Sequence, residues 1–290
     1  MLASRRLVAM GMALLCAASL AGCSGAPLSF LGVQTTSVED ALAQQQSTRL
    51  VANPAGLKQA GTLTVGVRAS EAAPLLIKAD GTLKGLDVEL GCALADEMGC
   101  KVAFVSVGGV NDALASTCDV VMGVSNQEAT NAAIVGSYAS SAIALFHKGA
   151  AGVVSADQMT GKAVAVQEGS ASQQALRSAG IAVTEVVTAS LNEAFEDLES
   201  GTVAYVVCPA ASGFYLSCRY NDIACAGVFN EPTSLGIALS STESEATAAI
   251  RGAYDRIAAN GVLNETSRRW LGETVSLTAD WRIPGALPVA

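Results

Sequence analysis

Short apolar runs, nearly unbroken by polar residues, recur between residues 57 and 272, and each is followed by a stretch with helical spacing. Runs such as "LTVGVRA" (63–69), "KVAFVSV" (101–107) and "CDVVMGV" (118–124) are near-continuously apolar in character. Strands of that kind are covered on both faces, which predicts a parallel sheet flanked by helices. Between them, "DVELGCALADEMG" places Leu90, Ala93, Leu94 and Met98 on one helical face, with Asp87 as the expected cap and Gly99 as the stop. "VNDALAS" is a short helix. A second series follows: "IALFHK" (143–148), "KAVAVQ" (162–167), a helix in "SASQQALRSAG", then "AVTEVVT", "LNEAFEDLESG" and "AYVVCP". After "FNEPTSLGIALSS", two helices close the series, and no repeat of fixed period is present. Two such series joined by extended crossings predict an α/β architecture of two lobes with a cleft between them, where ligands bind.

The front of the chain reads differently. Arg5 and Arg6 precede the apolar stretch "LVAMGMALLCAASL", which is short for a membrane span, and small residues then lead to Cys23. Residues 1–22 are thus expected to be a signal peptide. "LAGC" resembles the bacterial lipobox, which makes Cys23 the lipidated first residue of a mature chain anchored outside the cell membrane. Residues 23–56 carry no pattern able to bury a core and read as a membrane-proximal linker. Mean hydropathy is +0.41, yet nothing after Cys23 reads as a transmembrane helix. Removing residues 1–22 leaves 15 basic against 26 acidic residues, a net charge of −11. So acidic a chain is not expected to bind nucleic acid.

Four motifs in series resemble the extracellular solute-binding proteins of family 3, the polar amino-acid binders of ABC importers. They are "GTLTVGV", "DGTLKGLDVELGCALADEMGCKVAFVSV", "MTGKAVAVQEGSAS" and "ALSSTESEATAAIRGAYDRIAANGVLNETSRRWLG". The resemblance implies two Rossmann-like lobes with a hinge and an interlobe cleft, the type II periplasmic-binding-protein-like fold. Lobe 1 would take residues 57–145 and 235–272, lobe 2 residues 149–228, and 273–290 would be a C-terminal tail. The hinges would lie near 145–148 and 229–235. The implied partners are a small polar solute and an ABC transporter permease, with the chain a monomer tethered to the membrane through Cys23.

The resemblance also says where the ligand should sit, and this chain departs from it at three places. Ala129 stands where the family's carboxylate-binding arginine belongs, Pro209 where its ammonium-binding aspartate belongs, and Glu71 or Ala72 at the place of the stacking aromatic. The substitute set is Arg68, Glu71, Ser125, Asn126, Glu128 and Gln167, together with Gly169, Ser170 and Ala171 at a helix N-terminus, where N–H groups favour an anion. An anionic or non-zwitterionic solute held by Arg68 and the Ser170 helix end fits these departures. The plainer alternative makes Arg68 a solvated arginine, Glu71 and Glu128 loop acids, and Ser170 a simple cap. A second functional reading is a degenerate binding domain that acts as a receptor or interaction module. A third is an enzyme on the same scaffold.

Catalytic motifs are missing: His147 is the single histidine, and no metal-binding or phosphate-binding pattern occurs. No enzyme activity, cofactor or metal is therefore expected. Cys16 leaves with the signal peptide and Cys23 takes the lipid, so Cys92, Cys100, Cys118, Cys208, Cys218 and Cys225 remain. Outside the cytoplasm an even count suggests disulfides, and Cys218 with Cys225, flanking "RYNDIA", is the easiest pair to join. Cys92 and Cys100 would be roughly 12 Å apart along a helix, too far to bridge.

Overall fold

A computed structural model of the chain describes residues 53–68, 73–272 and 275–289, and there the apolar runs form two five-stranded sheets. In the first, β1 (Thr62–Arg68) lies between β4 (Lys101–Val107) and β5 (Val120–Ser125), parallel to both. On β5 the consecutive residues Val120, Val121 and Met122 are all fully buried, as expected for a strand covered on both faces. A short hairpin of β2 (Ile77–Ala79) and β3 (Thr82–Lys84) leads into helix α1 (Leu86–Met98). Two more strands complete the sheet, β12 (Thr233–Ser240), antiparallel to β5 on one side, and β6 (Ala132–Ser141) at the edge, antiparallel to β12 and so in the direction of β5. Around Gly236 the register of β12 slips against both neighbours. A Cβ at Gly236 would run into the Gly136 carbonyl, and one at Gly136 (φ +65°) into the Tyr254 ring, so both positions need glycine for close approach.

The second sheet has the order β11–β7–β10–β8–β9. Its parallel part is β8 (Ala163–Gln167), β9 (Thr184–Thr188) and β10 (Tyr205–Pro209). Strand β7 (Ile143–Lys148) runs antiparallel to β10 and to β11 (Ile223–Val228). The expected parallel sheets are thus mixed, because the strand that follows each crossing, β7 in the second sheet and β12 in the first, runs against the rest of its sheet. Residues 145–148, the expected first crossing, lie inside β7, and the passage from one sheet to the other falls at Ala142. The return passage lies between β11 and β12, and the two are tied together. The N–H of Phe229 donates to the Ile143 carbonyl at 2.9 Å, and that of Ile143 to Asn230 Oδ1 at 2.7 Å.

Serines start four of the eight α-helices among the described residues. Ser155, Ser170, Ser190 and Ser244 each accept a backbone N–H at the head of α3 (Ala156–Met159), α4 (Ala171–Ser178), α5 (Leu191–Ser200) and α7 (Glu245–Ala259). The remaining helices are α2 (Val110–Ser116), α6 (Ala210–Ser217) and α8 (Val262–Leu271). Asp87 does not cap α1, as Gly85 holds that position; Asp87 is buried within the first turn and accepts the Tyr138 hydroxyl at 2.7 Å.

The core does not stop between the sheets. Phe146 on β7 packs on Phe195 and, edge-on, on Phe214 of α6, and this cluster continues into the leucines of α1. Each such side chain contributes about 1.5–3 kcal/mol when fully buried. Tyr215 on α6 stacks on Trp270 of α8, with ring centroids 6.1 Å apart. Beyond α8 the chain returns to the second sheet. Ile283, 3% exposed, donates its N–H to the Val228 carbonyl, and Leu287 donates to Ala179. Among the described residues, no helix is long and apolar enough to cross a membrane. Residues 1–52 lie outside the described part, and with them the expected signal peptide and Cys23.

Candidate functional site

In open α/β sheets, ligands sit beyond the carboxyl ends of the strands. Here those ends meet a cavity of about 440 Å³. Its first-lobe wall is Arg68 at the end of β1, Gly123 and Ser125 at the end of β5, Glu128 just after it, and Ser141 and Thr233 where β6 ends and β12 begins. Pro209 through Ser212, the start of α6, form the second-lobe wall. The Ser212 hydroxyl donates to the Ala73 carbonyl at 2.8 Å, and the Ala210 N–H to the Ala142 carbonyl at the same distance.

An ion pair lies on the first-lobe wall of the cavity. Arg68 Nη1 lies 2.6 Å from Glu128 Oε1 and also donates to the Gly123 carbonyl at 3.2 Å. The other carboxylate oxygen of Glu128 accepts the Ser125 hydroxyl at 3.0 Å and its N–H at 3.2 Å. These contacts follow from a tight turn after β5, in which the Glu128 N–H bonds back to the Ser125 carbonyl. Burial pushes the Glu128 carboxyl up, but the Ser125 donors and the Arg68 guanidinium outweigh it and hold the carboxyl below its usual range. Behind the pair, the Gly123 N–H donates to the Tyr138 hydroxyl at 2.6 Å, which donates in turn to buried Asp87. The strand end that carries Ser125 is therefore fixed from both sides. Tyr138 escapes notice in the sequence because nothing local marks its partner; only the pairing of β6 with β12 brings it under β5.

Of the residues expected to bind, Arg68, Ser125 and Glu128 come together here. Asn126 is exposed and does not line the cavity, whereas its neighbour Gln127 does. Gln167, Gly169, Ser170 and Ala171 lie off the cavity wall. Their polar groups are engaged locally: Ser170 Oγ accepts the Gln173 N–H at 3.1 Å and donates to the Gln167 carbonyl at 2.7 Å, while the Gly169 N–H donates to Gln173 Oε1 at 2.9 Å. Glu71 lies outside the described residues. His147, inside β7, stacks on Tyr205 and contacts the Ala150 carbonyl.

The expected Cys218–Cys225 bridge is not formed, and both are free thiols, like Cys92, Cys100, Cys118 and Cys208. The reason is placement. Cys218 ends α6 with its Sγ on the Phe214 carbonyl, while Cys225 is buried in β11 with its Sγ toward the Gly227 carbonyl. Among the described residues, no group of three His, Cys, Asp or Glu side chains could hold a metal.

Known structures share this arrangement. A polar amino acid ABC uptake transporter substrate binding protein from Streptococcus thermophilus is 20% identical, with a TM-score of 0.61 over 75% of this chain and 88% of that one. An ancestral cationic amino acid solute binding protein is 24% identical, with a TM-score of 0.58 over 73% and 96%. The second substrate binding domain of GlnP from Lactococcus lactis, in an open conformation, is 17% identical, with a TM-score of 0.57 over 78% and 100%. At these identities the likeness concerns the fold: two α/β lobes of the type II kind. No curated protein sequence matches the chain. The model of the bacterial extracellular solute-binding proteins, family 3, matches residues 63–273, so the chain belongs to that family and is a solute-binding protein that works outside the cytoplasm.

Proposed function

We propose that this chain is the solute-capturing component of an ABC importer, held to the outer side of the cell membrane by a lipid on Cys23. The observation that carries the reading is the cavity of about 440 Å³ between two lobes, walled by Arg68, Ser125 and Glu128 on one side and the start of α6 on the other. That volume suits one small molecule. Each sheet with its helices acts as a lobe, and Ala142 together with residues 229–232 acts as the hinge. Closure over a small polar solute gives the permease a shape to recognise, and the lipid keeps the monomeric domain near it. The chain carries out no chemistry on its ligand. The relatives named for amino acids support a ligand of similar size, while Ala129 and Pro209 speak against the family's usual contacts with an α-amino acid.

A ligand that binds only the folded state raises stability by about 2.7 kcal/mol at a hundredfold excess over Kd. Thermal unfolding of the mature chain in the presence of amino acids, organic acids, polyols and amides is therefore the first experiment. A saturable shift with at least one class is expected, and no shift with any class overturns the reading. Cys23→Ala should move the protein from the membrane fraction to the soluble fraction; if it stays with the membrane, the lipid on Cys23 is not the anchor.

A further inference from the structure

We propose that a second cavity, beside the crossing between the lobes, is a binding site for short apolar amides the size of a dipeptide, and that a molecule seated there ties the lobes together. The cavity holds about 320 Å³ and adjoins the first, with Ser140 and Ala211 lining both. Its walls are the end of β6, the first half of α6, one face of α8 and residues 275–277 of the tail. Those tail residues lie beyond the stretch matched to the family, which ends at 273, so one wall falls outside the family pattern.

The lining has an apolar floor and a polar rim. Tyr138, Phe214, Leu271 and Leu277 are buried. The Tyr138 hydroxyl is already bonded to Gly123 and Asp87, so what it brings to the cavity is its ring. Around this floor stand half-buried Ser140 and Ser267 and exposed Asn264 and Ser276. Apolar walls with a few placed polar groups are the pattern of small-molecule sites, and the volume lies at the small end of their range. Strand β6 adds a further feature. It is the edge of its sheet, and among the described residues no strand pairs with its outer side. Such an edge leaves peptide N–H and C=O groups open to pairing with the amides of a ligand. An apolar side chain flanked by amides therefore fits: the side chain against the floor, the amides on β6 and the rim. Residues 273–274, which join α8 to the tail, lie outside the described residues, so the ligand is defined by its apolar body and amides and not by its charge.

The walls belong to different lobes. Helix α6 follows β10 of the second sheet, whereas β6 is part of the first and α8 packs with the first-lobe helix α1. The stack of Tyr215 on Trp270 already joins α6 to α8. A molecule in the cavity adds contacts between the same elements. It binds best to the lobe arrangement that keeps these walls together, and it shifts the population towards that arrangement.

The test uses the chain as expressed and processed by a bacterial host, with N-acetyl-leucinamide as the probe: one apolar side chain between two amides. Calorimetry should show saturable binding in the millimolar range, as suits a molecule of so few atoms. With the probe bound, hydrogen exchange should slow in α6, α8 and the tail together. N-acetyl-glycinamide, which lacks the side chain, should bind roughly tenfold or more weakly. Ser267→Phe and Ser276→Phe fill the cavity from two different walls, the second from an exposed position that accommodates a larger side chain. Each should weaken binding of the leucine probe roughly tenfold or more. Full affinity in both folded variants, or protection confined to one element, would put the probe elsewhere and overturn the proposal. Equal affinity for the glycine probe would remove the apolar floor and overturn it as well. No saturable binding at all would overturn the second site and leave solute capture in the first cavity standing.

Discussion

The hydroxyl of Ser212, at the start of α6, donates to the carbonyl of Ala73, just beyond the end of β1, at 2.8 Å. With that bond the second lobe takes hold of the first at the rim of the cavity. Ser212→Ala should cost about 0.5–1.5 kcal/mol of stability, the range of one neutral hydrogen bond. It should also favour lobe opening by up to the same amount, at most about 13-fold in the open–closed equilibrium. Small-angle scattering of the ligand-free variant would then give a larger radius of gyration. An unchanged radius and midpoint would mean that this bond is no tie between the lobes.

A second restraint comes from the tail. Ile283 is buried next to Phe229, Leu145 and Val166, and its N–H holds the Val228 carbonyl. It anchors a segment that leaves α8, on the first lobe, and ends on the second. Ile283→Ala should destabilise the fold by about 2–4 kcal/mol, combining lost apolar burial with a cavity. Because the tail couples the lobes, a single unfolding transition should broaden or split in the variant. A loss under 0.5 kcal/mol, within the range of an ordinary surface substitution, would show that the tail is only laid on the surface.

How far the sequence can be read depends on how local the signal is. Strands β1, β4, β5, β7 and β8 are legible as apolar runs, of which β5 is buried throughout and β4 only partly, and the helices headed by Ser170, Ser190 and Ser244 carry their caps with them. Strand β6, "AAIVGSYASS", is not legible: a glycine with φ +65° interrupts it, and only β12 gives it a partner. The site shows the same division. Arg68 and Glu128 can each be picked out as candidate site residues, but their binding to one another depends on β1 lying beside β5. Gly169 and Ser170 read as an anion clasp on helix geometry alone. The Gln173 side chain, one turn on, takes the Gly169 N–H, which a ligand would otherwise use. The thiols mislead for a related reason, since an even count says nothing about which strand buries each one.

Thiol chemistry separates those cysteines. Cys92 and Cys218 are exposed, whereas Cys118, Cys208 and Cys225 are buried. Burial raises the thiol pKa of Cys208, with Cys225 adding to the effect, and pushes that of Cys225 up to about 11. In the native chain at pH 8, an aromatic disulfide reagent should label Cys92 and Cys218 rapidly and leave Cys208 and Cys225 untouched until denaturant is added. Peptide mass spectrometry without reduction would read the result. A Cys218–Cys225 peptide lighter by two hydrogens and closed to labelling would contradict the free thiols.

The Arg68–Glu128 pair contributes to the acid side of the stability curve. Because the folded chain holds the Glu128 carboxyl below its usual range, the ionised form is the one the fold favours. Its contribution is complete above the unfolded carboxyl value, about 4.3, and is lost as pH falls through the lower folded value. Glu185, held low by Arg177 on the surface, titrates in the same region, so the wild-type curve alone cannot isolate the effect. The comparison with Glu128→Gln can, since Glu185 is common to both. The wild type's advantage should be level from neutral pH down to about pH 5 and shrink as pH falls through about 4. Urea unfolding at a series of pH values would measure the difference. An advantage that persists unchanged at pH 3 would mean that Glu128 stabilises through shape or neutral hydrogen bonds, with Arg68 not engaged as an ionic partner.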